Sequence, residues 1–223
     1  MRLLIINPNT SKGVTARIKA AADAAARPGD RFTTLCPTFG PELIVTDADA
    51  EHASRAVLET VKAYEGDCDG IVLASFGNTG AEGVRLLRPD IPVIGIAAAA
   101  FSIASAVGGN FGIVTFGPSL VPALQAKAEE AGLGPKLLGT LAVETDDFGD
   151  PGTVQDRYVN ELGRLCENMH ERGASCVVMG GGPLAGMAAK LAPTSPVPLI
   201  DGTHGAINIL RTLVGHRHVA DAV

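Results

Sequence analysis

The sequence predicts an α/β protein made of two similar lobes, each with a mostly parallel β-sheet. Three observations indicate this fold: short apolar runs alternate with longer helical patterns, the runs are apolar along their whole length, and several segments repeat at nearly constant spacing. Continuous apolar runs are typical of parallel strands that are covered on both faces. Alternation of strands with helices favours a parallel sheet.

The apolar runs are the predicted strands, because they are rich in Val, Ile and Leu and end at turn-forming residues. They cover residues 2–6, 31–35, 70–74, 92–96, 111–115, 138–143, 175–179 and 197–200. The segments between them contain apolar residues at the i, i+3, i+4, i+7 spacing of an amphipathic helix. The clearest helical patterns are 49–64, 119–131, 153–172 and 203–214.

Internal repeats predict the two lobes. Two pairs of segments match at an offset of 106 residues and a third pair at 109: "IPVIGIAAAAF" (91–101) with "VPLIDGTHGAI" (197–207), "DGIVLASFG" (69–77) with "SCVVMGGGP" (175–183), and "LIINPNTS" (4–11) with "IVTFGPSL" (113–120). We therefore expect two lobes related by a pseudo-twofold axis. The first comprises residues 1–96 plus a returning segment, 208–223, and the second comprises residues 97–207.

The repeats place four strand ends in corresponding positions on the two sides of a cleft. Each end is a turn that leads into a helix, at residues 7–11, 75–79, 116–119 and 180–183. Ligands of open α/β sheets bind outside the carboxyl ends of the strands. Unpaired N–H groups at helix starts suit anions, so these turns predict a site for a carboxylate or an imide-like group.

Composition and charge exclude several classes of protein. Of 223 residues, 46% are hydrophobic and 19% are charged, which allows a large core. The net charge of −6 and the lack of a Lys/Arg block argue against a nucleic-acid or acidic-membrane partner. The longest apolar stretch is shorter than the roughly 20 residues of a membrane span, and "MRLLIINPNT" lacks signal-peptide features. A cytoplasmic protein is expected.

The cysteines and histidines do not form a recognisable metal motif. The four cysteines contain no C-x-x-C pair, and no histidine stands at zinc-finger spacing. Cys68 and Cys176 are expected to be small buried residues. The pair His216 and His218 is expected to belong to a solvated tail. We therefore expect no metal site.

Five motifs resemble those of the aspartate/glutamate/hydantoin racemase superfamily, and its hydantoin and allantoin racemase branch in particular. They are "INPNTS" (6–11), "FGPELI" (39–44), "ASFGNTG" (74–80), "GGGPLAGMA" (180–188) and "PLIDGTHGAI" (198–207). The resemblance covers nearly the whole chain. It implies an isomerase that needs no cofactor, acts on a small carboxylate or cyclic ureide, and forms homo-oligomers.

The resemblance also implies a reaction that this sequence does not support in full. Racemases of this type use two cysteines on opposite faces of the substrate α-carbon. In this sequence Ser75 occupies the first position and Gly181 the second, and the alignment before "AGM" leaves the second position open by a few residues. A serine hydroxyl is a much weaker base than a thiolate. Cys68 and Cys176 lie at the opposite ends of their strands, about 15–20 Å away, which argues against two-thiol racemisation.

Three roles are open for Ser75. It can donate to a substrate oxygen beside the N–H groups of Phe76, Gly77, Asn78 and Thr79, as in an oxyanion hole. It can be a nucleophile, with His204 as the base within reach, because a histidine titrates near neutral pH. Alternatively, Ser75 only caps the following helix, and His204 makes a structural hydrogen bond at a helix start.

The other turns supply further candidate binding residues. Asn9 and Thr10 can donate to a carboxylate or merely cap the first helix. Ser119 stands in the corresponding turn of the second lobe. The glycines at the fourth turn let the backbone approach a ligand closely, or only permit a tight turn; with the proline that follows, these residues are Gly180, Gly181, Gly182 and Pro183.

Three functions therefore remain open. The first is a cofactor-independent enzyme of the racemase or isomerase type. The second is an enzyme of another class, a hydrolase or decarboxylase that uses Ser75. The third is a small-anion-binding protein that has lost the two-thiol chemistry. The absence of both cysteines favours the second and third, whereas the retained turns indicate that a ligand still binds.

Overall fold

The structure is a computed structural model, which describes residues 1–145 and 149–220 without the side chains of 216–220. Its first sheet has four parallel strands in the order β2-β1-β3-β4. Its strands are β1 (Arg2–Ile6), β2 (Arg31–Leu35), β3 (Gly70–Leu73) and β4 (Val93–Gly95). All three pairings are parallel. The strands are buried on both faces, as their continuous apolar runs predict, except for the edge strand β2.

The second sheet repeats this arrangement in the order β6-β5-β7-β8, again with parallel pairings. Its strands are β5 (Phe111–Thr115), β6 (Leu137–Ala142), β7 (Cys176–Met179) and β8 (Leu199–Asp201). Corresponding strands occupy corresponding places in the two sheets, which confirms the predicted pair of α/β units. The eight predicted strands are all present, with bounds that agree within two residues.

Helices connect consecutive strands and cover the sheets. Their bounds are α1 (Lys12–Ala24), α2 (Asp47–Lys62), α3 (Ala81–Leu87), α4 (Ile96–Val107), α5 (Val121–Glu130), α6 (Val154–Arg157), α7 (Val159–Glu171), α8 (Met187–Leu191) and α9 (Gly202–Ala220). The single helix predicted over 153–172 is wrong, because the chain leaves helical geometry at Tyr158 and separates α6 from α7. Within the described ranges, no helix has the length and apolar character needed to cross a membrane.

A buried cluster joins the two sheets. It contains Ile5 and Val72 from the first sheet, Val178 from the second, and Phe101 from α4 between them. The Phe101 ring lies 6.1 Å from the rings of both Phe76 and Phe111. The loop after β3 is therefore held by the same core that supports the second sheet.

The last helix returns to the first sheet. A Cβ atom placed on Gly70 of β3 would lie 2.9 Å from the Cδ2 atom of Leu210 of α9, so the helix packs directly on this strand. Arg211 of α9 also binds Asp30 and the carbonyl of Ala25. The predicted lobe boundaries remain a prediction, and residues 221–223 of the returning segment lie outside the described residues, as do the side chains of His216 and His218.

Candidate active site

A cavity of about 250 Å³ lies at the carboxyl ends of strands from both sheets. The turns that follow β1, β3, β5 and β7 all contribute to its wall, so each of the four predicted turns supplies at least one residue. The volume is at or below the small end of the range for ligand pockets. The cavity therefore suits a ligand of about the size of a small ring with a short substituent.

Nine of the thirteen candidate site residues line this cavity. They are Asn9, Ser75, Phe76, Gly77, Thr79, Gly180, Gly181, Gly182 and Pro183. The other four lie outside its wall: Thr10, Asn78, Ser119 and His204.

Ser75 is bound to its own loop and leaves one side open to the cavity. Its hydroxyl donates to Thr79 Oγ1 over 3.2 Å and accepts from Thr79 N over 3.4 Å. The helix α3 begins only at Ala81, with Gly80 at the N-cap position and no side chain in the cap. Ser75 therefore does not cap a helix, which removes the purely capping interpretation.

Asn9 lines the cavity, and its amide oxygen is bound within its own loop. Its Oδ1 accepts from Ser11 N over 3.0 Å and from Asn7 Nδ2 over 2.8 Å. Because a backbone N–H can only donate, the bond from Ser11 fixes which end of the amide is oxygen. The Nδ2 group is then the end that remains for a ligand carbonyl or carboxylate.

The glycine turn after β7 forms another part of the cavity wall and approaches its neighbours closely. Gly181 has a φ of +124°, and a Cβ atom on it would lie 2.9 Å from Phe116 Cε1. A Cβ atom on Gly182 would lie 2.8 Å from the carbonyl oxygen of Ala74 in the first lobe. These contacts explain why the turn contains glycine: any side chain would displace a neighbour.

Gln155 fixes that turn from outside the cavity. Its buried amide donates to the carbonyl oxygens of Pro183, over 2.9 Å, and Ala185, over 2.6 Å. The nearby Gly152 carbonyl accepts from Arg17 of α1 over 2.9 Å. Residues 152–155 therefore connect the glycine turn to the first lobe. No motif in the sequence indicated this role.

The candidates outside the wall have structural partners. Thr10 donates from both its backbone N and its hydroxyl to the carbonyl of Pro41. His204 Nε2 lies 2.8 Å from the carbonyl oxygen of Ala21, and the backbone N–H of His204 donates to Asp201 Oδ1. The structure thus places His204 in the structural hydrogen bond considered above and not beside Ser75, so it provides no base there.

Asn78 and Ser119 also face away from the cavity wall. Asn78 adopts a φ of +52°, the only positive φ among the described non-glycine residues. Its Oδ1 is buried and would lie 2.3 Å from a Cβ atom on Gly95. Ser119 is exposed in the short 3₁₀ turn Pro118–Leu120. The left-handed turn at Asn78 directs its side chain toward Gly95 of β4, whereas the hydroxyl of the next residue, Thr79, is bound to Ser75.

Comparison with known proteins identifies the family. The Asp/Glu/Hydantoin racemase family model matches residues 3–210. The chain belongs to this family.

Individual members of the racemase family agree in sequence and structure over nearly the whole chain. A hydantoin racemase of Paenarthrobacter aurescens is 30% identical, over 96% of this chain and 91% of that protein. An allantoin racemase from Klebsiella pneumoniae superposes with a TM-score of 0.89 at 33% identity, covering 96% and 88% of the two chains. An allantoin racemase from Pseudomonas fluorescens superposes with a TM-score of 0.85 at 28% identity, covering 96% of this chain and 91% of that chain. The resemblance inferred from the motifs is confirmed.

This racemase-family chain has no cysteine among the described residues that line its cavity. Cys68, Cys166 and Cys176 are buried in the core, and Cys36 is partly exposed beside Lys12 Nζ. Burial raises the pKa of the Cys166 thiol to about 12 and raises the pKa values of Cys68 and Cys176 as well. The buried thiols are therefore protonated at neutral pH.

The mouth of the cavity contains residues that sequence analysis did not single out. Leu43, Ile44 and Val45 come from the loop after β2. The resemblance included Leu43 and Ile44 only as part of the motif at 39–44, and it did not include Val45. On the other side, helix α5 contributes apolar residues and Lys127. Within the described part of the chain, no group of three or more His, Cys, Asp or Glu side chains is arranged to hold a metal ion.

Proposed function

We propose that this racemase-family chain is a cofactor-independent enzyme that acts on a small carboxylate or cyclic ureide in the cavity between its sheets. The chemistry is of the isomerase type, with proton exchange at the carbon next to a carbonyl group. The observation that carries the proposal is the convergence of four equivalent strand ends on one small cavity. Hydantoin and allantoin, named for the relatives, are themselves cyclic ureides, which supports this substrate class.

The polar residues of the cavity suit the charge that such a reaction develops. When the carboxylate of Asp47, the anionic group in the described part of the wall, takes a proton from the α-carbon, negative charge moves onto the neighbouring carbonyl oxygen. The single O–H of Ser75 turns from Thr79 Oγ1 to donate to that oxygen, and the amide of Asn9 donates beside it, in a site partly closed to water. Fixed donors of this kind stabilise a developing oxyanion more than the neutral carbonyl.

A second candidate, decarboxylation, is favoured by the lack of a thiol in the cavity wall. When a carboxylate on the carbon next to a carbonyl group leaves as CO₂, the electron pair of the broken C–C bond forms an enolate and places negative charge on that carbonyl oxygen. That step needs no base to remove a proton from carbon; it needs only the donors and a later proton source. Hydrolysis with Ser75 as nucleophile is not favoured, because His204 is bound to Ala21.

The proposal is tested with an enantiopure 5-isobutylhydantoin in deuterated buffer without added metal or cofactor. We expect protein-dependent entry of deuterium at C5, measured by mass spectrometry, and its loss in Ser75→Ala. In parallel, a disubstituted malonate is assayed for release of CO₂. Deuterium entry supports isomerase-type chemistry, and CO₂ release without deuterium entry selects the decarboxylase. Ligand binding by calorimetry without either reaction would identify a binding protein and overturn the enzyme proposal.

A further inference from the structure

Lys127 lines the cavity as part of the inner face of α5. The face consists of Leu120, Ala123, Leu124 and Lys127, which are spaced by three, four and seven residues from the first. Residues at this spacing lie on one side of a helix. The wall therefore continues from the end of β5 along α5, and it changes from apolar to positively charged in the last turn of that helix.

The charge on Lys127 remains available to a ligand. Its Nζ lies 2.6 Å and 2.9 Å from the two carboxylate oxygens of Glu130, whose side chain is 59% exposed. Exposed pairs at this spacing are weak. An ammonium group has three donors, so a second carboxylate can bind from the cavity side without removal of Glu130.

The opposite lobe contributes the other charged residue among the described residues of the wall, Asp47. Asp47 is exposed in the first turn of α2. The positive end of that helix partly offsets the charge of Asp47. An anionic group is therefore favoured on the α5 side of the mouth and opposed only weakly from the α2 side.

Helix geometry sets the length of ligand that Lys127 can reach. Seven residues separate Leu120 from Lys127, which corresponds to about 10 Å along α5. A ring held at the strand ends by Ser75 and Asn9 therefore reaches Lys127 through a substituent that runs along this face of α5.

From this arrangement we infer that Lys127 is a specificity-determining residue, which selects ligands with a carboxylate at the end of a short apolar arm. This inference rests on the proposed function and deepens it, since it names the substituent of the cyclic ureide. The apolar residues Leu120 and Leu124 contact the methylene groups of the arm, and Lys127 binds its charged end. An uncharged arm of the same shape gains only the apolar contacts.

Calorimetry with two matched hydantoins tests the inference. The probes are 5-(2-carboxyethyl)hydantoin and 5-(2-carbamoylethyl)hydantoin, which have equal numbers of heavy atoms and differ in charge. We expect the unmodified protein to bind the carboxyethyl compound about tenfold more tightly, as one charge-assisted hydrogen bond allows. Lys127→Met should abolish this preference without changing the affinity for the carbamoyl compound. Asp47→Asn should increase the preference.

Lys62→Met is the matched control. Lys62 lies in the last turn of α2, where its Nζ binds Glu59 over 2.9 Å, but it is outside the cavity wall. This variant should keep the full preference. Equal binding of the two probes by the unmodified protein, or a preference that survives Lys127→Met, would overturn the inference while leaving the proposed substrate class intact. Failure of both probes to bind would overturn the substrate class and the inference with it.

Discussion

The hydroxyl groups of Ser75 and Thr79 lie 3.2 Å apart in the wall of the cavity, and the N–H of Thr79 also points to the Ser75 oxygen. This contact depends on the left-handed backbone of Asn78, which reverses the chain between the two residues. The loop after β3 thus fixes one hydroxyl at the cavity without using it to start a helix. Because Ser75 lines the cavity and does not start a helix, its replacement should affect activity more than stability.

Replacement of Ser75 by alanine should reduce turnover strongly and stability only slightly. Loss of one oxyanion donor costs about a hundredfold or more in rate, whereas loss of the bonds to Thr79 costs roughly 1 kcal/mol of folding free energy. Steady-state kinetics and urea unfolding measure the two effects. Ser102→Ala removes a hydroxyl that binds Ala98 on α4 and should leave turnover intact. Normal turnover in Ser75→Ala would show that Ser75 does not act on the substrate.

Alkylation of native protein should modify Cys36 and leave activity unchanged. Cys36 is partly exposed, whereas Cys68, Cys166 and Cys176 are buried. Their raised pKa values also reduce the fraction of reactive thiolate at neutral pH. Mass spectrometry after brief treatment with iodoacetamide should find one adduct per chain. Loss of activity that follows the modification of a buried cysteine would mean that the reacting centre lies elsewhere.

A side chain at Gly181 should be tolerated poorly, so that one substitution cannot restore the second thiol. Gly181→Ala combines an unfavourable φ, which costs about 1–3 kcal/mol, with a close contact to Phe116, which costs a further 1–3 kcal/mol or so. Gly139→Ala isolates the first effect, because Gly139 has a φ of +135° and no atom within 4 Å of the added Cβ. Equal losses of unfolding free energy in the two variants would contradict the steric argument.

Removal of the amide of Gln155 should destabilise the protein through the glycine turn. Gln155→Met keeps the length of the side chain but leaves the buried carbonyl oxygens of Pro183 and Ala185 without this donor. An unsatisfied buried acceptor costs about 1–3 kcal/mol, so the two together predict a loss of about 2–6 kcal/mol. Gln125→Met, on the partly exposed surface of α5, is the control. An unchanged melting curve for Gln155→Met would show that the turn is held by other contacts.

The strands were predictable because each one is apolar along its whole length. Helix α4 was not, since its sequence "IAAAAFSIASAV" is buried on much of its surface and shows no apolar stripe. The repeats correctly brought the residues after β3 and β7 to one cavity. They did not distinguish Ser75, which lines the cavity, from Asn78 three residues later, because the difference depends on the sign of one φ angle.

The mouth of the cavity depends on how the two lobes are placed relative to each other. Lys127 looks like an ordinary surface lysine in the pattern of α5, and only the packing of that helix brings it to the wall. The same holds for His204, whose ring binds Ala21 in the other lobe. The local sequence does not determine where the side chains of Lys127 and His204 point, because both orientations follow from contacts between residues far apart in the chain.

The central claim is that a small ring binds between Ser75 and the glycine turn. A crystal structure of the protein with saturating 5-isobutylhydantoin tests it most directly. We predict ligand density in the cavity, with one ring carbonyl oxygen within hydrogen-bonding distance of Ser75 Oγ and the isobutyl group against Leu120 and Leu124. An empty cavity, or a ring bound there without contact to Ser75, would contradict the account.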